Sequence, residues 1–124
     1  MKTEMIDREP AEARHFFANK IAFTTDPVEL NRRIQRRDQI AIFDVREPED
    51  YLKAHIPGAV NLPKARWQET EGLRRDTINV LYCYSAACHL AASAAVELAG
   101  RGFPVMEMDG GFEAWEENQL PVER

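Results

Sequence analysis

The 124-residue chain has only two cysteines, Cys83 and Cys88, and only six glycines. So few cysteines exclude a disulfide-built scaffold, and so few glycines exclude a collagen-like or low-complexity chain. No apolar run approaches the length of a membrane span. The N-terminal segment carries Lys2, Glu4, Asp7, Arg8, Glu9, Glu12 and Arg14, leaving no apolar core for a signal peptide. The expected setting is therefore the cytoplasm, where thiols stay reduced and serve redox, catalytic or metal chemistry. Positive charge is also scarce: 16 Lys and Arg against 21 Asp and Glu give a formal net charge of -5. Following a nucleic-acid backbone requires clustered cations, so neither nucleic acid nor a membrane is expected as a partner.

With 44% hydrophobic and 30% charged residues, the composition is that of an ordinary globular chain, long enough for one core without disulfides or structural metals. Pro10 followed by residues 11–19 predicts a helix with Phe16 and Phe17 on it, and residues 21–24 read as a short extended run. Asp26-Pro27 caps a second helix running to about Arg37. Residues 40–45 form a near-continuous apolar run, the pattern of a strand buried on both faces. A short helix at 47–54, a small strand at 59–62 and a mostly irregular stretch at 63–75 follow. Residues 79–82 give another buried strand, ending at Cys83, and an Ala-rich helix spans about 89–99. A strand at 104–108, a turn at Asp109-Gly110-Gly111 and a closing helix at 112–117 complete the chain. Strands alternating with helices imply an α/β fold with a parallel sheet, helices on both faces, and a ligand site at the carboxyl ends of the strands.

Cys83 lies at such an end. A cysteine between a buried strand and a helix N-terminus faces unpaired backbone N–H groups and the positive end of the helix dipole, both of which stabilise a thiolate. The loop amides also make a nest for an anion, so the geometry predicts a lowered thiol pKa with nucleophile and anion site in one place. The competing reading is a small buried apolar residue, as free cysteines often are.

Around Cys83 the chain resembles the rhodanese-like sulfurtransferases. The resemblance rests on Phe43-Asp44-Val45-Arg46-Glu47 with Tyr51, on His55-Ile56-Pro57-Gly58-Ala59 with Asn61-Leu62-Pro63, on Leu81-Tyr82-Cys83, on Gly102-Phe103, and on Asp109-Gly110-Gly111-Phe112-Glu113-Ala114-Trp115. It implies a three-layer domain over residues 23–124, with residues 1–22 as an N-terminal helical extension. It also implies that Cys83 accepts a sulfane sulfur from a small donor or persulfidated protein and passes it to a thiol or protein acceptor, without a cofactor. The loop Tyr84, Ser85, Ala86, Ala87, Cys88 and His89 would hold the donor, with Asp44 and Arg46 in support.

The loop departs from the commonest family pattern, which has Gly three and Arg five residues after the cysteine; here Ala86 and Cys88 stand there. The missing guanidinium weakens the grip on an anionic donor. If the loop needed a left-handed residue at Ala86 the cost would be roughly 1–2 kcal/mol, so the backbone is expected to take another path. Cys88 places a second thiol in the loop, and the sequence looks most like a branch of the family with that feature. A related phosphatase branch carries an arginine where this chain has His89, so phosphatase chemistry is not expected. The alternative function is a non-catalytic rhodanese module for protein binding or thiol redox sensing.

Other residues invite blander readings. Cys83, Cys88 and His89 match no zinc-ligand spacing, so no metal is expected. His55 is expected to fix its turn. Arg32, Arg33, Arg36 and Arg37 are expected to form a solvated helical face. Trp67 is placed in a loop near the site and Trp115 in the core. Phe16 and Phe17 are expected to pack on the domain or on a second copy in a homodimer.

Overall fold

The computed structural model describes residues 9–69 and 72–124; the first eight residues of the proposed extension, with Lys2, Glu4, Asp7 and Arg8, lie outside that range. Its elements in chain order are α1 (Pro10–Phe23), β1 (Thr24–Thr25), α2 (Pro27–Gln35), β2 (Ile40–Asp44), α3 (Pro48–Lys53), β3 (Val60–Asn61), a 3-10 turn at Lys64–Arg66, β4 (Ile78–Tyr82), α4 (Leu90–Gly100), β5 (Val105–Met108) and α5 (Gly111–Glu117). Five parallel strands form one sheet in the order β1-β5-β4-β2-β3. The α/β architecture predicted from the alternation of elements is the one found.

Strand alternation divides the core. Ile42, Val80 and Tyr82 point to a face covered by α2 and α5, where they meet Leu30, Met108, Phe112 and Trp115. Phe43, Leu81 and Cys83 point the other way, to Ala91, Ala94 and Leu98 of α4 and to Trp67 and Phe103. The period of two thus places Tyr82 on one side of the sheet and Cys83 on the other. Trp67, expected near the site in a loop, is a core residue whose indole N–H donates to the Leu62 carbonyl at 3.0 Å.

Local chemistry sets the helix starts. Asp26 caps α2 by accepting from the Glu29 N–H at 2.8 Å, with Pro27 as the first helical residue. Arg32, Arg33 and Arg36 pair with Glu29 and Asp38 on the surface, the solvated face anticipated.

One expectation at the N-terminal end is overturned. Residues 21–23 are not extended but continue α1, and only Thr24–Thr25 pair with β5; no Gly or Pro stands between Lys20 and Asp26 to stop the helix earlier. The domain leaves most of α1 uncovered. None of its residues is buried, with Phe16 at 60% and Ile21 at 80% relative exposure. Phe16 and Phe17 instead meet each other edge to face at 5.0 Å. No described helix is long and apolar enough to cross a membrane.

Candidate active site

β4 ends at Tyr82, and the next residue, Cys83, begins a loop that runs to the first turn of α4. The loop is held from two sides. Below it, the first amides of α5 donate to its carbonyls: Phe112 N–H to Cys83 at 2.8 Å and Glu113 N–H to Tyr84 at 2.9 Å. This approach depends on glycine. A Cβ on Gly111 would lie 2.4 Å from the Ser85 nitrogen and 2.6 Å from the Tyr84 carbonyl carbon, and its φ of +62° disfavours a side chain. Gly111→Ala is therefore expected to push the loop away and to destabilise the fold by about 1–3 kcal/mol, the usual cost of forcing extra atoms into a packed site. Gly100→Ala, with nothing within 4 Å of the added Cβ, is the control, and equal stability of the two variants in urea denaturation would contradict the role of Gly111.

Beside the loop, Tyr84 turns towards α3: its hydroxyl donates to Asp50 at 2.7 Å and accepts from the Glu47 N–H at 3.1 Å. Asp44 and Arg46 brace the site indirectly. Arg46 binds the Asp44 carboxylate and donates to the Ala54 carbonyl, while its guanidinium lies 4.2 Å from the Phe112 ring centroid. Burial works against the Arg46 charge, but the Asp44 hydrogen bonds and charge outweigh it and raise the pKa. The Tyr82 hydroxyl donates to Asp44 at 2.7 Å and accepts from the Ile56 N–H. Burial and the Asp44 charge push the Tyr82 phenol strongly upward, so it remains a donor.

The remaining loop residues separate by exposure. Ala86 and Ala87 are exposed, Ser85 and Cys88 half-buried, and His89 is exposed at the N-cap of α4. Ala86 does not adopt a left-handed backbone, which among the described non-glycine residues occurs only at Arg37 and Gln119. Ser85, Ala86, Cys88 and His89 share a cavity of about 320 Å³, whereas Tyr84 and Ala87 do not line it. Lys20, Glu107 and Asp109 also line this cavity; no spacing pattern marks their approach, because they come from α1 and the end of β5. Burial and the neighbouring Asp109 raise the Glu107 carboxyl. His55 sits apart, stacked on Tyr51 at 3.8 Å and bonded to the Tyr51 carbonyl, as a turn-fixing residue. Among the described residues no group of three or more His, Cys, Asp or Glu could hold a metal.

Both cysteines are free. The Cys83 thiol donates to the Cys88 carbonyl at 3.5 Å. Its sulfur also receives the backbone N–H groups of Ala91 and Tyr84, but burial, with a smaller contribution from Cys88, outweighs them and the thiol is pushed up to about 11. This reverses the lowered pKa expected from the strand-to-helix position alone: desolvation of a sulfur that faces the core dominates. Cys88 moves the opposite way. Its partial burial opposes ionisation, but the Cys83 thiol and the N–H groups of Tyr84 and Leu90 donate to it and lower its pKa. The pair therefore loses its first proton at Cys88. At neutral pH iodoacetamide is expected to label Cys88 before Cys83, with labelling of Cys83 accelerating as the pH rises towards 11. Peptide mapping after brief labelling checks the order, and faster labelling of Cys83 at neutral pH would contradict it.

The all-parallel sheet and the helices around it agree with what known proteins show. The model of the rhodanese-like domain matches residues 26–118, and the chain belongs to that family. It is 36% identical over 84 residues to the thiosulfate sulfurtransferase GlpE of Coxiella burnetii, covering 66% of this chain and 76% of that protein. It is 31% identical over 109 residues to the HTH-type transcriptional regulator Rv0324 of Mycobacterium tuberculosis, which covers 86% of this chain but only 48% of the regulator's length. The crystal structure of the BH2092 protein from Bacillus halodurans superposes with a TM-score of 0.83 at 33% identity, over 93% of this chain and 86% of that one.

Proposed function

We propose that the chain is a sulfurtransferase or persulfide carrier in which Cys83 accepts a sulfane sulfur. The observation that carries this reading is the setting of Cys83: a thiol at the carboxyl end of β4, ahead of the N-terminus of α4, in a loop fixed from below by α5. Of the two thiols Cys88 is the more readily ionised, its pKa being lowered while that of Cys83 is raised. Cys83 attacks the outer sulfur of the donor as its proton passes to the ionised form of Cys88. The donor's leaving group departs, and the persulfide anion on Cys83 faces the same N–H groups that hold the thiol. We propose a small sulfur donor or a persulfidated protein as source, a thiol or protein as acceptor, and the cytoplasm as setting.

The test is to incubate the reduced chain with glutathione persulfide or thiosulfate, block free thiols at once and map the peptides by mass. A gain of one sulfur at Cys83, retained or passed on, is expected. No change at either cysteine favours the alternative of a non-catalytic rhodanese module, a reading supported by the near-complete burial of Cys83 at 2% exposure.

For the bare side of α1 we propose a second copy of the chain as its cover. An apolar groove of about 370 Å³ between α4 and β5 is lined by Ala95, Val96, Ala99, Val105 and Met106, and Phe23 at the end of α1 forms part of its wall. The exposed side of α1 is thus continuous with the groove, and two copies can cover both surfaces reciprocally. Sedimentation equilibrium is expected to give a dimer, and a monomer for Phe17→Glu with Val96→Glu; a monomer for the unaltered chain would overturn the proposal.

A further inference from the structure

We propose that Cys88 is a second catalytic residue, which attacks the persulfide on Cys83, expels sulfide and leaves a Cys83–Cys88 disulfide. The inference rests on Cys83 being the sulfur acceptor and adds a fate for the sulfur that a single-cysteine site does not have.

Three observations carry it. The Cys83 thiol donates to the Cys88 carbonyl at 3.5 Å, and Cys88 packs against the same core cluster as Cys83, so the attacking residue is seated beside its target. Cys88 is the more open of the two: it lines the cavity with Lys20, Ser85 and His89, whereas Cys83 faces the core. Sulfide can therefore leave, and a reductant can enter, on the side of Cys88. Finally, the Leu90 N–H donates to the Cys88 sulfur at 3.4 Å, a fixed donor that stabilises its thiolate.

The steps balance. Uptake leaves Cys83 as a persulfide anion and Cys88 as a thiol. The Cys88 proton moves to the outer sulfur. The Cys88 thiolate then attacks the Cys83 sulfur, a Cys83–Cys88 bond forms, the bond between the Cys83 sulfur and the outer sulfur breaks, and hydrosulfide departs with the electron pair. The sulfane sulfur is reduced to sulfide and the two cysteines are oxidised to a disulfide. An external dithiol reduces that disulfide and restores the resting pair. The site then acts as a reductase of sulfane sulfur, with electrons supplied by the dithiol.

The test treats the reduced wild-type chain, without air, with one equivalent of glutathione persulfide. Released sulfide is measured, and the products are mapped by mass after thiol blocking. The expected wild-type result is a loss of two hydrogens, a Cys83–Cys88 linked peptide and one sulfide per chain. Cys88→Ser lacks the proton acceptor for uptake, so it should load Cys83 more slowly but hold the added sulfur and release no sulfide, and Cys83→Ser should form no linked peptide. Wild type that retains the added sulfur as Cys88→Ser does, with no sulfide and no linked peptide, overturns the resolving role while leaving Cys83 as acceptor. Absence of added sulfur and of the linked peptide in every variant overturns both. The wild-type products decide even if Cys88→Ser fails to fold.

Discussion

Replacing Cys83 by Ser is expected to abolish sulfur uptake, with transfer to cyanide or thiols falling to the level of the uncatalysed reaction and the fold retained. Serine keeps nearly the same volume in the cluster of Phe43, Leu81, Ala91 and Ala94, so the core loses little packing. An alcohol at that position cannot form a persulfide, and the cradle of amides is left with nothing to stabilise. Cys88 is still present in this variant, so residual uptake measures how far Cys88 can work alone. Retention of most of the activity would sink the assignment of Cys83; circular dichroism of the variant separates loss of chemistry from loss of structure.

The largest loss of stability is expected from Asp44→Ala. Asp44 is fully buried, and Arg46, 2.7 Å away, is nearly so. Removing the carboxylate leaves a buried guanidinium without its counter-charge and the Tyr82 hydroxyl without its acceptor. Breaking such a pair costs about 3–5 kcal/mol, which in a domain of this size lowers the melting temperature by roughly 10 °C or more. Arg46 also stacks on Phe112, whose N–H holds the Cys83 carbonyl, so the loop should loosen along with the fold. Urea denaturation and a thermal scan give the value; a loss below about 1 kcal/mol would mean the pair is replaceable by solvent.

Much of this arrangement was legible in the residues. The near-continuous apolar run at 40–45 and the stretch at 79–82 proved to belong to adjacent interior strands. Asp26-Pro27 signalled the start of α2 through capping chemistry that acts within three residues. The position of Cys83 after a strand and before a helix followed from the same local patterns. Residues 21–24 misled because a four-residue apolar run fits a strand or the last turn of a helix equally well. The direction of the Cys83 pKa was also hidden. It depends on which face of the sheet the sulfur joins and on contact with Cys88, and neither is a property of the loop sequence. Lys20 and Glu107 reach the loop cavity through tertiary contacts, which no spacing rule encodes.

The support of the loop by α5 bears on the order of folding. The amides that hold the Cys83 and Tyr84 carbonyls belong to Phe112 and Glu113, some thirty positions later in the chain. During synthesis both cysteines emerge well before their support exists, and β1 likewise waits for β5 as its partner. A nascent chain that has passed Cys88 but not Glu113 thus carries both thiols without the amides that fix the loop carbonyls. The shape of the loop around Cys83 is set late, when α5 closes beneath it, so the site is completed by one of the last elements to be made rather than by the strand that bears the cysteine.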